Sequence, residues 1–227
     1  MRFRCALRIG FWVIGVLFGG LCTYAQSHEA PSKDAPVAPS KGLPPRVGPS
    51  EYQAQAQAGA VTVAAEFTGH SVPTPEGTYT TEDFVVVEVA LFGSSQARAT
   101  LSTGDFSLRI NGKKTALPSQ PYELSFKSLK DPEWEPPTKP DSKSKTSFGG
   151  GGGGNDPNYT PPPPKMPNEL RRAMEQRVQR AAMLVGDRAL PQAGLLFFDY
   201  HGKTENIRSV ELIYSGSAGN ATLALHP

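Results

Sequence analysis

The chain has 227 residues, 38% hydrophobic and 19% charged, with 23 Lys and Arg against 21 Asp and Glu for a formal net charge of +2. That balance leaves no global basic excess to argue for nucleic-acid binding. Both cysteines, Cys5 and Cys22, fall in the leader described next, so the remainder offers no disulfide, thiolate nucleophile or zinc–sulfur site.

Arg2, Arg4 and Arg8 precede an uncharged apolar run from Ile9 to Leu21, followed by Thr23-Tyr24-Ala25 and Gln26. A basic flank, a short apolar stretch and a small-residue exit form the pattern of a secretory signal, cut between Ala25 and Gln26. The run is short of the roughly 20 residues that span hydrocarbon, which favours cleavage over an uncleaved N-terminal anchor. Lipid attachment at Cys22 is a third alternative, disfavoured because Gly19 stands where such signals place a leucine. The expected address is the periplasm or the extracellular space, with membrane contact only through an uncleaved leader. Cleavage removes three arginines and no acid, leaving 20 basic against 21 acidic residues and a net charge of −1.

Residues 26–59 are rich in Pro, Ala, Ser and Gln and poor in large apolar side chains, which predicts a disordered spacer. From Ala60 the pattern becomes period two: Val61, Val63, Ala65 and Phe67 alternate with smaller or polar residues, as in a half-buried strand. Phe84 to Leu91 (FVVVEVAL) is β-branched and nearly continuous, which suits a strand covered on both faces. Ala97 to Leu101 and Asp105 to Ile110 read as further strands. Asn111-Gly112 is a hairpin signal, with Lys113 to Leu117 as its return arm. Tyr122 to Leu129 is another candidate strand. Residues 60–130 thus make the first part of a β-sandwich.

Residues 131–166 contain nine prolines and the six-glycine run Gly149 to Gly154, and read as a disordered insertion ending in the tetraproline Pro161 to Pro164. Residues 167–186 read as an amphipathic helix, with Leu170, Ala173, Met174, Val178, Ala181 and Val185 on one face. Pro167 suits its first turn and Gly186 its stop. Residues 187–227 supply closing strands at Gly194 to Tyr200, Ile207 to Tyr214 and Ala221 to Leu225. Seven or eight short strands with frequent turn signals predict a mainly β fold, an immunoglobulin-like antiparallel sandwich with one helix in an insertion.

The segment Thr103 to Lys114, with Asp105-Phe106-Ser107-Leu108 running into Asn111-Gly112-Lys113, resembles the central motif of a family of bacterial exported immunoglobulin-like domains of unknown function. Gly194-Leu195-Leu196-Phe197-Phe198 and Val210 to Tyr214 resemble its second half. The resemblance covers about residues 60–130 and 190–227. It implies export and a binding or stability role, and it brings no catalytic residues. The insertion and helix depart from its pattern.

No residue pattern points to catalysis, a metal or a cofactor. His28, His70, His201 and His226 are isolated, without the short spacing of metal ligands. Ser215-Gly-Ser-Ala-Gly lacks the first glycine of a nucleophile elbow. The glycine run is followed by Asn-Asp-Pro rather than by a helix or by Gly-Lys-Ser/Thr, so it is no nucleotide loop. A hydrolase using His201 and Asp199, with His70 brought near by the fold, is the weakest of the readings. Two features bear on partners. Arg171, Arg172, Arg177 and Arg180 form either a basic docking face or the solvated side of a packed helix. Tyr159 to Pro167 is either a polyproline ligand or a rigid spacer. The sequence therefore predicts a non-catalytic exported module that binds or spaces an envelope protein or polymer, or alternatively docks a protein through the helix and insertion.

Overall fold

The strand Phe84–Phe92 is buried along nearly its whole length, and its alternating side chains explain the architecture around it. Val85, Val87, Val89 and Leu91 enter one apolar core. Phe84, Val86 and Ala90 enter a second core on the opposite face. Two cores on two faces of one strand require a layer on each side, as the unbroken β-branched run predicted. The computed structural model describes residues 42–136 and 165–227. The signal segment, most of the spacer and most of the insertion expected from the sequence lie outside the described residues.

In chain order the strands are β1 (Ala54–Ala58), β2 (Val61–Gly69), β3 (Ser71–Thr74), β4 (Gly77–Thr81), β5 (Phe84–Phe92), β6 (Arg98–Leu101), β7 (Phe106–Ile110), β8 (Leu117–Gln120) and β9 (Leu129–Lys130). The helix α1 (Asn168–Ala181) follows, then β10 (Gly186–Ala189), β11 (Gln192–Asp199), β12 (Val210–Gly216) and β13 (Gly219–Leu225). Eight strands form one antiparallel sheet in the order β1-β2-β5-β11-β8-β7-β12-β13. β8 is its corner, because Leu117 and Pro118 pair with β7 while Ser119 and Gln120 pair with β11. The sheet curls until its two edges meet. Gln53 Nε2 donates to the His226 carbonyl at 2.7 Å beside one end of β1. At the other end, a side chain on Gly59 would strike the Ala218 carbonyl. β1 and β13 thus run side by side in opposite directions, and no ladder pairs them.

A single curled sheet differs from the two separate sheets of the expected sandwich. Its interior is the first core, built from alternate residues of every wall: Val63 and Phe67, Val87, Phe198, Leu108, Leu212 and Leu223 among them. The small ribbon β6–β10 adds Ala99 and Leu101 to this core. Outside the wall, α1 and the sheet β3-β4-β9 cover β2, β5 and β11, and Met174, Val178 and Ala181 bury the helix against them.

Four local expectations are corrected. The spacer does not extend to residue 59: Leu43 and Tyr52 are buried, and Ala54 to Ala58 form β1 with its alanines toward the core. Alanine is a weak strand former, but only small side chains fit where the two edges converge. Asn111-Gly112 does form a turn with positive φ at both residues, yet the return strand starts at Leu117 rather than Lys113. Lys113 to Thr115 are exposed and have no apolar face to bury. Tyr122–Lys127 is a 3₁₀ helix, not a strand. The Ser125 hydroxyl donates to the Tyr122 carbonyl at 2.7 Å, a local bond that competes with a ladder. Finally, α1 stops at Ala181, short of Gly186. Ala182 pairs with Leu195, and the Met183 amide donates to the Leu195 carbonyl at 3.0 Å, so β11 draws the chain out of the helix. Leu170 and Val185, expected on the buried face, are each 52% exposed.

Candidate functional site

Two concave features lie at opposite ends of β7 and β8. The first is a cleft of about 340 Å³ where β8, the 3₁₀ turn, the end of α1 and β11 converge. Leu195 and Phe197 form its floor, and Ala182, Met183 and Val185 one wall. The floor residues point outward from the curled sheet because their neighbours Leu196 and Phe198 point into it. Gln120, Tyr122, Glu123, Gln179 and Arg188 supply the polar rim. Burial pushes the Tyr122 phenol up, Glu123 adds to this, and a hydrogen bond with Gln179 works against it. The rim thus offers neutral amide and hydroxyl groups together with one acid and one guanidinium, over an apolar base. That composition suits uncharged amphipathic ligands.

The second feature is a cavity of about 450 Å³ lined by Ile110, Lys113, Thr115, Leu117, Asp199, Tyr200, His201 and Gly202. Here the structure brings His201 and Asp199 together, at 3.0 Å from Nε2 to Oδ1. It also supplies Asp83, whose Oδ1 lies 3.0 Å from Nδ1 of the same ring. Both imidazole nitrogens therefore face carboxylates. A hydrolytic triad needs one nitrogen for the orienting acid and the other for the nucleophile. His201, at 71% side-chain exposure, has neither nitrogen directed at a hydroxyl. His70 lies close by without joining the group. Its ring faces the Phe84 and Gly202 carbonyls and stacks on Tyr200 at 6.2 Å between centroids. His226 is exposed at the far edge. Among the described residues no group of three or more His, Cys, Asp or Glu could hold a metal ion.

Three of the four helix arginines are engaged with the protein itself. Arg177 donates to the Tyr79 hydroxyl at 2.6 Å, and Arg180 lies 3.3 Å from Glu76. Arg171 sits 3.7 Å from Glu175 one turn on, a weak exposed pair. Arg172 is exposed and has no partner among the described residues. The tetraproline and Tyr159 lie outside the described residues, as do Ala25 and Gln26.

One cluster went unread in the sequence because half of it lies in the expected spacer. Arg46 reaches Glu66 at 2.5 Å and Glu88 at 2.9 Å, and its guanidinium stands 4.5 Å from the Tyr52 ring centroid. Burial pulls the Arg46 pKa down, and the hydrogen bonds and charges of Glu66 and Glu88 outweigh it, so the net direction is upward. The available signal was Glu88 itself. A carboxylate inside an eight-residue apolar strand demands a cation from elsewhere in the chain.

No helix among the described residues is long and apolar enough to cross a membrane. No family model matches the chain, and no curated protein matches it. The resemblance to exported immunoglobulin-like domains therefore rests on its motif alone. A solved structure, described as a "putative lipoprotein" from Bacillus subtilis, is similar over 77% of this chain at 12% identity, with a TM-score of 0.34. The chain spans 38% of that protein's length, and a superposition so loose does not establish a shared fold.

Proposed function

We propose that this protein is a non-catalytic, exported module of the cell envelope that binds its partner in the cleft beside the end of α1. The observation that carries the reading is the cleft's construction, with Leu195 and Phe197 beneath a rim of Gln120, Tyr122 and Gln179. Clefts with an apolar floor and a few convergent polar groups are the usual form of ligand sites. The export half rests on the leader. The placement of His201 between Asp83 and Asp199 supports the absence of hydrolytic chemistry, since no ring nitrogen is left for a nucleophile.

The alternative is a protein-docking module acting through α1 and the Pro/Gly insertion, for which Arg172 is the helix arginine without a partner among the described residues. The engagement of Arg177 and Arg180 with Tyr79 and Glu76 favours the cleft over that face. Deleting residues 137–164 separates the two, because every cleft residue named above lies outside that segment. Pull-down from the envelope fraction should recover the same partner with and without the deletion. Loss of that partner on deletion, with unchanged circular dichroism, would establish docking through the insertion.

A further inference from the structure

In the two-stranded ribbon β6–β10, the strand β10 pairs on one side only. The Leu190 amide donates to the Ala97 carbonyl at 2.9 Å, one step beyond the pairing of Ala189 with Arg98. Bonded pairs alternate along an antiparallel ladder. Arg188 with Ala99 and Gly186 with Leu101 therefore make the bonds, and the backbone of Asp187 and Ala189 faces away from β6. The far edge of β6 has the same phase, because the Thr100 carbonyl accepts from the Ser217 hydroxyl at 2.9 Å. On β10 the Asp187 carbonyl accepts from Arg98 at 3.3 Å. The Asp187 amide and both backbone groups of Ala189 have no partner among the described residues, and both residues are exposed. Such an edge is a template for another backbone.

The edge adjoins the cleft, since Val185 and Arg188 belong to its lining. Alternation puts Asp187 on the face with Arg98, which it pairs at 2.9 Å, and Arg188 on the other face. Arg188 Nε donates to the Val185 carbonyl at 3.0 Å, and no carboxylate pairs with its guanidinium among the described residues. Glu123, the acid of the rim, interacts with Tyr122. A half-buried guanidinium without an acid, at the rim of an apolar cleft, suits a carboxylate brought from outside. On the reading that the cleft is the binding site, we propose that its occupant is an extended peptide with an acidic side chain, added to β10 as the third strand of the ribbon. Alternate side chains of the peptide lie over Leu195 and Phe197, and its acid meets Arg188. Main-chain bonds to Asp187 and Ala189 supply affinity, while the cleft and Arg188 select the sequence.

The test pans a phage-displayed library of random peptides on the full chain and measures the enriched peptides by calorimetry. Acidic sequences should be enriched. N-methylation along a selected peptide should weaken binding at every second residue, about tenfold where a donor to the edge is lost. Ala189→Pro, which removes only an outward amide, should weaken binding by a similar factor. Arg188→Gln should abolish the preference for the acidic peptide over its amide analogue. A photoreactive residue at Val185 reports separately whether the peptide fills the cleft. Crosslinking there with a flat N-methyl scan would overturn strand addition and leave the cleft reading standing. Enrichment of no peptide would also overturn strand addition. Bound peptides that never crosslink to position 185 would contradict the cleft reading and the proposal with it. If Ala189→Pro fails to fold, the N-methyl scan decides, because it leaves the protein unchanged.

Discussion

The Arg46 guanidinium lies 2.9 Å from the Glu88 carboxylate, joining the segment before β1 to the middle of the most buried strand. Glu88 is 8% exposed, so removing its cation leaves a carboxylate with little access to water. Arg46→Ala should lower unfolding free energy by about 1–3 kcal/mol in urea titrations, discounted because the arginine itself is partly solvated. Adding Glu88→Gln to that variant should recover part of the loss. Equal stabilities for both variants and wild type would mean that the cluster is decorative.

The start of the folded unit is a separate prediction. A chain beginning at Gly42 keeps Leu43, Arg46, Tyr52 and β1, and should unfold like the full chain. One beginning at Ala60 loses the burial of Leu43 and Tyr52 and exposes the inner edge of β2. It should be less stable by about 4 kcal/mol or more, measured by the denaturant midpoint at constant slope.

This boundary shows what the sequence can and cannot convey. Strands β2 and β7 were legible by their apolar alternation, and β5 by its nearly continuous β-branched run. The Ala-Gln alternation of β1 has the same period, but neither residue favours a strand, and only contact with β13 makes small side chains advantageous there. The single curled sheet was illegible for a related reason. Its closure depends on β8 dividing its pairing between β7 and β11, and four residues carry no sign of two partners. At the candidate sites, His201 and Asp199 entered the sequence reading only within its weakest alternative, and Asp83 comes from a distant turn. The cleft gathers residues scattered from Thr103 to Phe197, and together they form no motif.

Asn111 combines a turn conformation with a side-chain hub. Its φ is 54°, and its amide group holds Asn206, Arg208 and Ser209. Asn111→Gly keeps the backbone conformation and loses the bonds, and should cost about 1 kcal/mol. Asn111→Val adds the strain of a branched residue at positive φ and should cost about 1–2 kcal/mol more. Thermal melts of the pair separate the two contributions.

Gly194 lies where the chain leaving α1 crosses β11. A methyl group there would stand 2.4 Å from the Met183 Cα. Gly194→Ala should therefore destabilise by about 1–3 kcal/mol and weaken protection of the Met183 amide more than that of β12. Uniform loss of protection would mean that the crossing is not a local unit.

The most direct measurement for the binding role is site-specific photocrosslinking in cells of the source organism. A photoreactive residue at Val185, on the cleft wall, is compared with one at Lys114, in the loop beyond the other end of β7. The cleft reading predicts a discrete adduct from position 185 that survives deletion of residues 137–164, and none from position 114. Adducts from both positions alike, or an adduct at 185 abolished by the deletion, would contradict it.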